Sequence, residues 1–547
     1  MKKLAVLYGA VAVLLCAGAS SAYASAPEYD IVIRNGRVLD GAGNPWVHAD
    51  VAVKDGRVVS VGQVTGSGAR EVDATGRYVS PGFIDMMDQS GRVLLKSGEA
   101  ENKLRQGVTT VIAGEGGTPV PAADIPGYFQ QLEQQGISIN FGTYYSSTQA
   151  RVKVMGDGAG SPTEAQLNEM KNEVRTAMQA GAFGLTSALI YPPSSFQSTS
   201  DLVTLAGVSA QCGGFYATHM RDESGDLVQA VEEAIEIGEK SGAKVEIFHL
   251  KAAYAPGWGQ LMPQAVATIN AARARGVDVA ADLYPYTAGG TGLEIIAPSW
   301  VWADGIEKGL ERLRDPALRE RMKAEVEAGS MPGWSNLVHA SGGFGNVRLA
   351  NGFSEKYAPY HGKSLAEIGA ALNRHPADAA WDILLEGLPN RSVALYFMMS
   401  EPDIETALQQ PWVSIGSDAA ASESLGAMDA LGLPHPRAYG TFPRIIAEYV
   451  KRRPVLSLED AVRKMTGWPA QRMGLSDRGL IREGMRADIV VFDLDTLDDV
   501  AGWDNPTDVP TGIETVIVNG VVTLADGAHS GARAGNVLRH QCVIPGA

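Results

Sequence analysis

The sequence predicts an α/β protein: a parallel (β/α)8, TIM-like barrel, a small β-sandwich built from both termini, and an inserted helical segment. Three observations carry this reading. Apolar, strand-like runs alternate with helical patterns through the middle of the chain, β-rich stretches with matching turn chemistry stand at both ends, and one interval of about a hundred residues interrupts the alternation. At 547 residues the chain exceeds what a single hydrophobic core holds, so one large domain with a satellite is expected.

Residues 1–24 read as a secretory signal, with Lys2 and Lys3 ahead of an apolar stretch and Ala22-Tyr23-Ala24 as a small-X-small cleavage site. Cys16 is a poor lipid anchor, because Leu15 precedes it where a small residue is needed. No later run of about 20 uncharged apolar residues occurs, so an exported, periplasmic protein without a lasting membrane span is expected.

Residues 25–80 contain YDIVIRNGRVLD, ADVAVKDGRVVSVG and REVDATGRYVSPG, short strands joined by Asn-Gly and Asp-Gly turns. Within 476–547, GLIREGMRADIVVFDLD and IETVIVNGVVTLADG show the same alternation, so the two ends are expected to form one sandwich. Between them, residues 81–475 offer eight barrel strands, ending near Asp85, Ala113, Tyr145, Ser187, His219, His249, Tyr284 and Asp418. The clearest unit runs from His219 to His249: Leu227, Val228, Val231 and Ile235 recur at helical spacing, and Gly242 marks the turn before the strand KVEIFH. The interruption, about 291–390, reads as a helical insertion over the active face.

A net charge of −16 argues against nucleic acid or an anionic membrane as partner, while leaving room for a small anion held by local cations. Cys212 and Cys542 alone follow the signal, which suggests no disulfide framework. A strand from Cys212 to His219 would put the two side chains at opposite ends, so Cys212 is no co-ligand.

Barrels of this kind place chemistry at the carboxyl ends of their strands, where His219, His249 and Asp418 fall. Two imidazoles from neighbouring strands with a carboxylate from a later one suit a catalytic divalent metal. Asp418 also fits a helix N-cap. Glu115, in VIAGEGG, either completes a three-ligand shell or points to solvent from a glycine turn. Lys251, Tyr284 and Arg437 suit a substrate carboxylate, whereas Arg221 reads as a structural partner of Asp222 and Glu223.

The runs PGFID, LRQGVTTV, GAFGLTSALIYPP, YATHMRDE, HLKAAY, YPYTAGGTGL, MMSEPDI, IGSDA, PHPRAYGTFPR, RKMTGWPAQRMGL and GLIREGMRADIVVFD span nearly the whole mature chain. In these the sequence resembles the amidohydrolase superfamily and, within it, the N-acyl-D-amino-acid deacylases. The resemblance implies a (β/α)8 barrel with a small β-sandwich, and hydrolysis of an N-acyl amide with bound zinc. It implies that His219 and His249 are ligands, that Asp418 is the catalytic aspartate, and that Lys251, Tyr284 and Arg437 hold the substrate carboxylate. Three positions depart from the family. Its first-strand His-X-His pair is Met87-Asp88-Gln89 here, which should remove the weaker second metal site. Its cysteine ligand aligns with Gly116, one residue from Glu115, and a serine of the substrate pocket is Gly290.

The expectation is therefore a hydrolase with one zinc, or another divalent metal, on His219, His249 and Glu115. Its substrate would be a small N-acyl amino acid, the resemblance pointing to D configuration, with Asp418 as general base. A cyclic-amide or dipeptide hydrolase, or a non-catalytic periplasmic binding protein, stay open as alternatives.

Overall fold

Eight parallel strands form the barrel: Phe83–Asp88, Val108–Ala113, Asn140–Thr143 continued by Tyr145–Ser146, Gly184–Ala188, Phe215–His219, Lys244–Ile247, Val279–Leu283 and Val413–Ile415. Neighbours pair in parallel around the ring. The ring closes where Asp88 bridges Ala419 and the Asp418 amide donates to the Met87 carbonyl at 2.9 Å. The computed structural model describes residues 26–329, 331, 333–422 and 432–542, so the signal segment 1–24 lies outside it. No helix among the described residues is long and apolar enough to cross a membrane.

The strands are apolar on both faces because both faces are covered. Inside the barrel, Met86, Met87, Ile112, Tyr144, Phe183, Phe215 and Phe248 pack together. Outside, the helix Leu227–Ser241 buries Leu227, Ala230, Val231, Ala234 and Ile235 and ends at Gly242 with φ 75°, a conformation that costs glycine little. That helix returns the chain to the foot of the barrel, and the next parallel strand, Lys244–Ile247, brings residue 249 up beside residue 219.

Both ends of the chain contribute to a single nine-stranded sheet. Tyr78–Pro81, from the N-terminal part, pairs antiparallel with Ile489–Phe492, from the C-terminal part. Asp55-Gly56, Asn519-Gly520 and Asp526-Gly527 form tight hairpin turns with both residues at positive φ. Asn35-Gly36 instead makes a bulge inside the strand Tyr29–Val38, which continues past it.

The insertion is wider and less helical than its sequence suggests. Its helices, among them Ile306–Arg314, Pro316–Ala328 and Pro376–Gly387, surround a three-stranded antiparallel sheet of Ala288–Gly292, Val347–Asn351 and Val393–Phe397. These strands are short, and Ala288–Gly292 is mostly glycine, so their alternation is too weak to stand out beside long helical periods.

The last residues leave the end sheet and cross the barrel base, where Leu538 donates to the Phe141 carbonyl and His540 to that of Gly181. This path carries Cys542 to Cys212, and the two form a disulfide across 330 residues. The reading of no disulfide framework left this single pairing unanticipated, because nothing local in the sequence signals that the tail folds back over the barrel.

Candidate active site

The loops after the strands build the site, and two candidate functional side chains sit on strained backbone. His249 has φ 38° and Asp418 φ 48°, values rarely adopted outside glycine. Each is held there from below. The His249 amide donates to Asp282 Oδ1 at 2.7 Å. On either side of Asp418, Ser417 and Ala419 are gripped by Lys103, whose ammonium donates to Ser417 Oγ and to the Ala419 carbonyl, each at 2.8 Å.

Glu115 lies between the two histidines. Its Oε1 is 2.7 Å from His219 Nδ1 and 3.1 Å from His249 Nε2, and the two rings stand 4.5 Å apart, nearly perpendicular. The carboxylate thus turns into the cavity instead of out to solvent. Its other oxygen accepts from Gln89 Nε2 at 2.9 Å, and the same amide donates to Asp418 Oδ1 at 3.1 Å. Asp418 Oδ2 is in turn 2.9 Å from Arg437 Nη1, and Arg437 Cζ lies 4.6 Å from the centre of the Tyr284 ring. Glu115, His219, Lys251, Tyr284, Asp418 and Arg437 all line one cavity of about 370 Å³.

Behind the histidines lies Glu223, only 3% exposed. Its Oε1 is 3.0 Å from His249 Nδ1, its Oε2 is 3.3 Å from His219 Nε2, and Lys251 Nζ donates to Oε1 at 2.6 Å. The Lys251 ammonium and the Arg437 guanidinium are thus each beside a carboxylate, Glu223 and Asp418 respectively, but the planar guanidinium, paired through Nη1, has further N–H donors to offer to an anion in the cavity it lines with Tyr284. Arg221 does not pair with Glu223 or Asp222. It forms an ion pair with Glu233 on the following helix, because its side chain leaves the strand end on the outer side.

The electrostatics follow from this packing. Burial opposes charge on Glu115, yet His219 and His249 outweigh it and hold the carboxyl well below its usual range. Glu223 is likewise held well below, the attraction of His219, Lys251 and His249 exceeding the cost of burial. Burial acts to lower His219, but Glu223 and Glu115 raise it to about 9. The two carboxylates make the spot between the imidazoles attractive to a cation.

A metal fits these residues. Glu115, His219 and His249 bring one carboxylate oxygen and two ring nitrogens within 4.8 Å of one another, the donor set of a catalytic zinc site with a position left open. Glu223, on the far ring nitrogens, matches the carboxylate that commonly orients metal-bound histidines. Met87 lies in the barrel core and Gln89 uses its amide to bridge Glu115 and Asp418, so neither side chain adds a donor typical of such a metal. Sequence reasoning missed Glu223 and the Gln89 bridge. Spacing alone could have flagged Glu223, four residues after His219, but Arg221 nearby offered a simpler partner.

Comparison with known proteins agrees with this geometry. The amidohydrolase family model matches residues 385–524. An N-acyl-D-glutamate deacylase of Alcaligenes xylosoxydans xylosoxydans is 32% identical over 541 residues, covering 95% of this chain and 98% of the relative. A solved D-aminoacylase, described by its binuclear metal center with one-metal activation and second-metal attenuation, shares 30% identity at a TM-score of 0.77, covering 93% of this chain and 100% of that one. An N-acyl-D-glutamate deacylase from Bordetella bronchiseptica, complexed with zinc and a phosphonate mimic of the tetrahedral intermediate, gives 30% identity and a TM-score of 0.76 over 93% of this chain and 99% of that one. The chain belongs to the amidohydrolase superfamily and, within it, to the N-acyl-D-amino-acid deacylase (D-aminoacylase) family, and is a hydrolase of amide carbon–nitrogen bonds.

Proposed function

We propose that this enzyme hydrolyses N-acyl-D-amino acids to a carboxylate and a free amino acid, using one divalent metal, zinc by preference, held by Glu115, His219 and His249. The observation that carries the reading is the convergence of both imidazoles on Glu115, which with His219 lines the same cavity as Asp418 and Arg437. When bound, the cation supplies Lewis acidity and acidifies water at neutral pH. Asp418 accepts the water proton at a carboxylate oxygen and returns it to the leaving nitrogen. Gln89 keeps that carboxylate turned toward Glu115, and Arg437 with Tyr284 receives the substrate carboxylate and so fixes the scissile bond. Lys251, in contact with both Glu223 Oε1 and His249 Nδ1, helps to orient His249.

Metal analysis of purified protein, followed by assay of paired N-acetyl-D- and N-acetyl-L-amino acids, tests this. Close to one zinc per chain and turnover confined to the D series is the expected result. Two fully bound metals per chain would overturn the single-site assignment, and turnover of L substrates alone would overturn the stereochemical one.

Export is part of the same proposal. The signal-like residues 1–24 and the Cys212–Cys542 disulfide, which suits an oxidising compartment, both support it. Recovery of protein from a periplasmic extract with its N-terminus at Ser25 is the expected result, and retention of full-length chain in the cytoplasm would refute it.

A further inference from the structure

A second cavity, about 440 Å³, adjoins the active site and takes no part in the reaction described. Ile190, Tyr191 and Arg391 line both spaces and form the wall between them. The second space is apolar: Ile295, Trp302, Leu310, Trp334 and Leu384 face into it, and Trp302 and Trp334 are 8% and 7% exposed. Its outer rim includes the exposed Ile306 and Leu388, so the chamber lies between the active-site wall and solvent.

The polar groups of the wall are already matched to one another. Tyr191 Oη and Thr291 Oγ1 are 2.8 Å apart, Arg391 Nη2 donates to Thr291 Oγ1 at 3.1 Å, and the Arg391 guanidinium is paired with Glu294. Arg391 therefore brings no spare charge to attract an acidic group into the chamber. What the chamber can stabilise is apolar surface, and its volume lies in the range that holds a drug-sized ligand, far beyond the need of an acetyl group.

Direction decides which part of a substrate reaches it. The Tyr191 ring packs against His219 at 5.2 Å between centroids, whereas the anion-binding pair Arg437 and Tyr284 lies on the Asp418 side. In an N-acyl amino acid, the carboxylate and the acyl group extend from opposite ends of the scissile amide. With the carboxylate at Arg437 and the carbonyl at Glu115 and His219, the acyl group points toward Tyr191 and the chamber beyond.

Resting on the deacylase reading, we propose that this chamber is the acyl-chain site and that the enzyme acts on amino acids carrying long aliphatic or aromatic N-acyl groups, in preference to N-acetyl ones. Tyr191, Thr291, Arg391 and Glu294 form the threshold that the chain crosses.

The test is a series of acetyl, butanoyl, hexanoyl and octanoyl amides of a single amino acid. kcat/KM should rise by roughly fourfold per added methylene over the first few carbons, the gain from burying each one. Ala297→Phe and Ser299→Phe, two separate ways of filling the chamber, should abolish that rise while leaving hydrolysis of the acetyl substrate and the melting temperature unchanged. A companion series varies the amino-acid side chain at constant acetyl. If the filled variants alter that series and not the acyl series, the chamber belongs to the side chain and the proposal is overturned. Flat or falling kcat/KM with chain length in the wild type overturns it as well, while leaving the deacylase reading intact. Failure of every member, acetyl included, sinks the deacylase reading itself.

Discussion

Two buried lysines at the same end of the barrel show how little the charge inventory of a site says about its use. Lys103 sits beneath the first and eighth strands, with Asp85 Oδ2 at 2.9 Å and Asp88 Oδ2 at 2.7 Å, and all three side chains are fully buried. Lys251 sits beyond the sixth strand beside Glu223 and His249. Each pairs an ammonium with carboxylate, and in both the neighbouring charges are needed to offset burial. They differ in what faces the cavity. Every partner of the Lys103 group is protein, so its product is rigidity: it fixes the backbone that presents Asp418. Around Lys251 the near edges of His219 and His249 remain turned toward Glu115, so its product is a pair of oriented candidate ligands. Burial acts to discharge Lys103, but Asp85 and Asp88 outweigh it and raise its pKa, keeping the strut charged.

The comparison is sharpened first at Asp418, the residue the strut presents. Asp418→Asn keeps the size and the Gln89 contact but cannot accept a proton, so turnover should fall roughly 10²- to 10⁴-fold with zinc content unchanged. Near-normal turnover would remove Asp418 from the proton path.

Lys103→Met should be next in size. It strands Asp85 and Asp88 without their counter-charge, a loss of about 3–5 kcal/mol of stability, measured as a shift in the denaturation midpoint. Lys251→Met should cost much less stability, because Glu223 keeps both histidines as partners, while zinc affinity falls. Equal destabilisation by the two changes would erase the distinction drawn here.

A third buried lysine has only a more distant carboxylate and so serves as a control. Lys464 gives its ammonium to the carbonyls of Gln410 and Val413, and Asp460 is 3.9 Å away. Burial lowers its pKa to about 8. Between pH about 8 and its unfolded value near 10.4, the unfolded chain holds the proton more firmly than the native one, so this lysine makes stability rise with pH across that window. The rise should be at most roughly 3 kcal/mol, and it should vanish in Lys464→Met. Identical pH profiles for wild type and variant would show that Lys464 does not titrate there.

The smallest effect is expected at Glu223. Glu223→Gln retains the shape but weakens the hold on the far ring nitrogens, so zinc affinity should drop about 10- to 100-fold, with a smaller loss of stability than Lys103→Met because one ammonium is left unpaired instead of two carboxylates. Unchanged affinity by competition with a chelator would reduce Glu223 to a partner of Lys251.

The eight strands were legible because alternation and apolar runs are local: each observed strand ends within three residues of the position read from the sequence. His219, His249 and Asp418 were legible for the same reason, since a parallel barrel sends every strand end to one rim. Glu115 stood between two readings because a glycine turn suits both an inward and an outward carboxylate. The short strands of the insertion were not legible, as their pairing rather than their pattern defines them.

The sequence by itself determined the order of elements, the turn residues and which side chains reach the active rim. Tertiary structure alone decided the partnerships: Glu223 with two histidines instead of Arg221, Gln89 between residues 115 and 418, Cys542 with Cys212, and the apolar chamber beside Tyr191. The reason is physical. Periodicity and turn chemistry depend on neighbours along the chain, whereas a hydrogen bond or a cavity wall depends on side-chain direction and on segments that meet only after the barrel has closed.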